Sequence, residues 1–153
     1  MGYRTNSFDS AICKQQGRLF VLAVDKSFDS TKFAQMFMQS SVARRLDREY
    51  SMLHGTGEKY WLEELETEVI LERGSIVNQE VAEWAGHLYR FWHYYTGESS
   101  DEIYKQASFD VVCRVFLAYH CMDWCDAVDR FKEHACNATK SLGVLKLKPM
   151  TLD

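Results

Sequence analysis

A chain of 153 residues with 46% hydrophobic and 14% aromatic content builds one substantial core and leaves little for a second large domain. Its formal charge of −4 opposes a broad polyanion-binding surface, so nucleic acid is not the expected partner. No apolar run approaches the roughly 20 residues of a membrane-spanning helix, and Met1 to Asn6 has no signal-peptide pattern; a cytoplasmic protein with Cys13, Cys113, Cys121, Cys125 and Cys136 as free thiols is expected.

The single proline, Pro149, leaves residues 8–140 open to helix, so glycines and capping residues must punctuate the chain. Leu19 to Val24 suits a buried strand or a helix by periodicity alone, and we read it as helix. Glu58 to Arg73 sets Trp61, Leu62, Leu65 and Val69 on one stripe of an acidic surface helix that Gly74 would end. From Asn78, residues Val81, Trp84, Ala85, Leu88, Phe91, Trp92 and Tyr95 keep helical spacing up to Gly97. Ser99 and Glu102 form a capping box for a short helix through Ile103 to Gln106. Phe109 to His120 is apolar almost all round and predicts a helix through the core. Asp123 should cap a last helix with Trp124, Val128, Phe131 and Ala135 inward; residues 141–153 read as a mobile tail.

These elements predict an all-α fold, a compact bundle of about seven or eight helices in one domain over residues 1–140. An internal repeat, 19–72 against 88–135, would make it two related halves. Leu19, Phe33 and Val42 then fall opposite Leu88, Ile103 and Val112, while Leu53, His54, Leu62 and Leu65 fall opposite Tyr119, His120, Val128 and Phe131.

The stretch Tyr50-Ser51-Met52-Leu53-His54-Gly55-Thr56-Gly57, with the acidic helix from Glu58 to Leu65, resembles a signature of small uncharacterised Firmicutes proteins. Leu88 to Ser100 is similar to a second motif from the same neighbourhood. Such proteins are often encoded beside toxin-like ADP-ribosyltransferases in toxin–antitoxin or mobile-element cassettes. The resemblance implies a context: a protein that binds and restrains a toxin or a host defence enzyme, as an antitoxin or a phage-borne inhibitor does.

His87, Tyr89, Arg90, His93 and Tyr94 lie off the main stripe of the 78–96 helix and have the composition of an interface hot spot. Glu63, Glu64 and Glu68 could steer association with a basic groove, although such a run is commonly a solvated face. The expected function is therefore non-enzymatic protein binding without cofactor or metal. The runner-up is a HEPN-like all-α ribonuclease using Arg114 and His120, a pattern that Arg48 and His54 repeat. Six residues on a regular helix separate side chains by about 120°, so that chemistry needs a break in the helix. The commoner role for both histidines is a hydrogen bond to a backbone carbonyl. A third reading is a subunit that self-associates through Tyr89 and Tyr94. His120, Cys121, Cys125, His134 and Cys136 could hold zinc, but no paired CxxC knuckles support it.

Overall fold

Short polar side chains start most of the helices. In the computed structural model, which describes the backbone of residues 3–151 and the side chains of residues 3–137, Asn6 accepts from the Asp9 amide to open α1, Ser7–Asp25. Asp29 caps α2, Ser30–Met38, and Ser40 caps α3, Ser41–Leu46. A 3-10 turn, Met52–Gly55, leads to α4, Glu58–Glu68. Asn78 caps α5, Gln79–Thr96, which Gly97 ends at φ 80°, a left-handed angle that costs glycine nothing. Ser99 caps α6, Ser100–Gln106, accepting from the Glu102 amide at 3.2 Å, and the Glu102 carboxylate reaches back to the Ser99 hydroxyl at 3.0 Å rather than to its amide as in a full capping box. Then follow α7, Phe109–Arg114, α8, Phe116–Tyr119, and α9, Trp124–Thr151. The all-α bundle expected from sequence is the fold, and the Leu19 to Val24 run is helical. The residues read as a mobile tail, 141–153, lie outside those whose side chains are described.

Two stretches depart from their sequence pattern. The 58–73 helix stops at Glu68, because Val69-Ile70-Leu71 goes extended. Alternation then sends Val69 and Leu71 against the core and leaves Ile70 82% exposed. The freed backbone pairs with the turn after α1: Asp29 donates to the Glu72 carbonyl at 2.8 Å and Ser30 to the Ser75 carbonyl at 2.9 Å. Gly74 caps nothing; it passes so close to Asp29 that a Cβ there would lie 2.4 Å from its carboxylate oxygen. The second departure is at Val115, whose φ of −99° and ψ of 4° break the 109–120 helix. Only Phe109, Val112 and Tyr119 of that stretch are buried, and Leu117 faces solvent.

The centre of the bundle is the pair α1 and α5, the most extensive helix contact among the described residues. Two glycines permit it. A Cβ at Gly86 would lie 2.6 Å from the Gln16 carbonyl oxygen, and one at Gly17 would lie 2.9 Å from that of Glu83. Phe20 sits at the crossing with Phe33, Phe37, Tyr89 and Phe109 around it, at ring centroid distances of 5.3–6.3 Å. Element order runs long helix, two short helices, a single turn and a further helix, and then does so again, although α7 has no side-chain cap where α3 has one. The paired positions Leu19 and Leu88, Phe33 and Ile103, Val42 and Val112, and Leu65 and Phe131 are all buried.

Candidate functional site

Three chain segments meet at one end of the α1–α5 pair and enclose an open groove of about 1020 Å³. The start of α1 contributes Phe8 and Asp9, and the end of α5 contributes His93, Tyr94 and Gly97. The link from α3 through the 3-10 turn contributes Asp47, Glu49, Tyr50, Met52 and His54. Phe8, Tyr50 and Met52 are 53%, 82% and 92% exposed, so much of the molecule's large exposed apolar surface gathers at this one concavity.

A buried ion pair forms the floor. Arg90 is fully buried; its Nη1 donates to Asp47 Oδ1 at 2.7 Å, its Nε to Gln16 Oε1 at 2.8 Å and its Nη2 to Ser100 Oγ at 3.1 Å. Ser100 returns its amide to Asp47 Oδ2 at 2.8 Å and its hydroxyl to Oδ1 at 2.7 Å. Both charges are thus paired and hydrogen-bonded, the condition under which burial is tolerated. The network ties α1, α3, α5 and α6 beneath the groove.

The two groove histidines are held by carbonyls. His93 Nδ1 lies 2.7 Å from the Glu98 carbonyl, and His54 Nε2 lies 3.1 Å from that of Leu46. A carbonyl can only accept, so each of these nitrogens carries the proton and the other ring nitrogen holds a lone pair when the ring is neutral. Burial, with Arg90 beside it, lowers the His93 pKa and keeps the ring neutral near pH 7. Burial raises the Asp9 pKa from its ordinary value, against the opposing pull of His54 and His93. The Tyr94 hydroxyl is buried with no hydrogen-bond partner among the described residues, and burial raises its pKa. Ser51, the serine of this wall, uses its hydroxyl oxygen to accept from the Leu53 amide. The groove offers π faces, carboxylates and imidazole acceptors, a surface for binding.

The hot spot read from sequence is divided by packing. Tyr89 and Arg90 are buried, with the Tyr89 hydroxyl on the Ala107 carbonyl at 2.8 Å, so neither is available to a partner or to a second copy. The face was off the α5 stripe but is covered by α1. His87 stacks on Trp124 at 4.0 Å, and burial lowers its pKa to about 4. Only His93 and Tyr94 reach the groove. Of the three glutamates, Glu68 accepts from the Ser41 amide and hydroxyl at 2.9 Å and 2.6 Å and so secures the start of α3. Glu64 lies 3.4 Å from Arg45, and Glu63 stands exposed to solvent.

Arg114 ends α7, and His120 follows α8 with its ring stacked on Phe116 at 4.5 Å and its Nδ1 2.8 Å from the Phe116 carbonyl. No described contact joins the two, whereas Arg48 and His54 line the same groove. Among the described residues no group of three His, Cys, Asp or Glu side chains could hold a metal, and no helix is long and apolar enough to cross a membrane. Cys13 and Cys113 are pushed up to about 12 by burial, which makes them poor nucleophiles.

Sequence reasoning missed Phe8, Asp9, Asp47, Tyr50 and Met52 as a set. The one available signal was Tyr50 and Met52 within a polar loop, where large apolar side chains have no core to enter. Fold and groove together define a helical bundle with a concave face rimmed by aromatic and apolar side chains over a buried ion pair. Comparison with family models, curated proteins and solved structures finds no match.

Proposed function

We propose that the chain is a non-enzymatic protein-binding module whose groove receives part of a partner protein. The observation that carries this is the convergence of exposed Phe8, from the start of α1, with exposed Tyr50 and Met52, from the link after α3, around one concavity over a buried ion pair. Exposed side chains of this size contribute little to folding, and at the rim of a concavity they are suited to anchor a partner. The resemblance of the Tyr50 to Leu65 stretch to proteins of toxin–antitoxin and mobile-element cassettes supports a toxin or a host defence enzyme as that partner. The role is then antitoxin-like, or that of an inhibitor.

A photo-crosslinking amino acid placed at Met52 in living cells tests the reading against the same probe at Glu63 and at exposed Leu117. A single protein captured from position 52 and from neither control is the expected result. Capture from position 63 alone would move the interface to α4.

A further inference from the structure

The turn that ends α5 has a counterpart at the end of α1. Each leaves its helix through a left-handed residue, Ser27 at φ 62° and Gly97 at φ 80°, and each enters a short capped helix that begins with a buried serine, Ser30 or Ser100. The first turn is covered by the chain's own extended stretch. Asp29 and Ser30 donate to the Glu72 and Ser75 carbonyls, Gly74 donates to the Ser27 carbonyl at 3.3 Å, and Val77 donates to Ser30 Oγ at 3.1 Å. At the second turn the Asp47 carboxylate takes the Ser100 amide, and Gly97 borders the groove. A backbone arrangement that holds an extended strand in one half therefore opens onto a groove in the other.

The charges beside that opening have one sign in excess. Asp47 is neutralised by Arg90 at 2.7 Å, which leaves Asp9 and Glu49 against Arg48. His93 is neutral near pH 7 because burial and Arg90 disfavour its cation. Phe8, Tyr50 and Tyr94 place aromatic rings on the same walls. Aromatic faces with a carboxylate receive a cationic head group and repel phosphate.

We propose that the groove holds an extended segment of a partner polypeptide, which passes Gly97 as residues 72–75 pass Ser27 and places a Lys or Arg side chain against Asp9 and Glu49. The inference rests on the reading of the groove as a partner site and adds the partner's chemistry. Strand-like pairing supplies affinity that does not depend on sequence, and the basic side chain supplies selectivity.

The experiment selects displayed random twelve-residue peptides on the full chain, then titrates the enriched peptides in soluble form against wild type, Asp9→Asn and Glu49→Gln. Amide shifts locate each peptide, and Glu49 lies on an exposed loop where replacement leaves the fold intact. Enriched peptides should carry Lys or Arg, shift the amides of Met52, His54, Gly97 and Ser99, and bind three- to tenfold more weakly to either variant, with affinity falling as salt rises. Peptides that shift the same amides, lack a basic residue and ignore both substitutions would overturn this inference and leave the docking reading standing. Enrichment of acidic peptides would overturn it equally. Binders that never shift a groove amide, or a selection that yields none, would count against both.

Discussion

Where α1 gives way to α2, the turn is sealed by the chain's own backbone between Glu72 and Val77; where α5 gives way to α6, a buried ion pair does the sealing and a groove lies open above it. Backbone pairing spends the polar groups of both strands on each other and leaves a finished surface. A carboxylate from α3 secures only the start of α6, so the flank of the second turn remains free for other contacts. The comparison teaches that stability and exposure have been separated at this end of the molecule: one residue, Asp47, does for the fold what a strand does at the other end.

Replacing Asp47 by Ala breaks that comparison hardest. It strands the fully buried Arg90 guanidinium, which costs about 3–5 kcal/mol in a urea melt. The matching change, Asp29→Ala, removes one helix cap and a 3.3 Å bond from Ser75 and costs about 1 kcal/mol. Equal losses at the two sites would show that the ends are held alike.

Acid acts on the second turn next. Burial alone would raise Glu98, but bonds from Lys132, Trp92 and Gln106 hold it at about 2. Its folded pKa lies below the ordinary glutamate value of 4.5, so the stabilisation is complete above pH 4.5 and fades as pH falls toward 2. The loss amounts to about 3 kcal/mol at most. Melts from pH 6 to 2.5 should show a slope that Glu98→Gln flattens. Smallest of all is the cost of Tyr50→Ser with Met52→Ser, within about 0.5 kcal/mol by thermal melt, since neither side chain is part of the core.

The helix from Asn78 to Gly97 was legible because cap, apolar stripe and left-handed glycine all agree, which is the consistency that makes a local pattern decisive. Val69 to Val77 was not, because Val69 continues the α4 stripe and nothing local reveals that the backbone bonds of Asp29 and Ser30 lie 43 and 45 residues away in sequence at Glu72 and Ser75. Tyr89 and Arg90 were placed on the wrong side of the surface for a similar reason. Their exposure depends on how closely α1 approaches, and that is decided by Gly17 and Gly86 acting together. The groove draws on residues 6–9, 47–55 and 93–97, whose meeting is a property of the packed bundle. His54 and Tyr94 could be singled out one at a time, but Asp9 has the sequence appearance of an ordinary first-turn acid.

The measurement that bears most directly on the groove is the affinity of the crosslinked partner, once purified, for two variants of equal stability. Tyr50→Ser with Met52→Ser should weaken binding at least a hundredfold, while Glu63→Gln with Glu64→Gln should change it less than threefold. The reverse pattern, with the groove variant binding as wild type and the α4 variant impaired, would contradict the account.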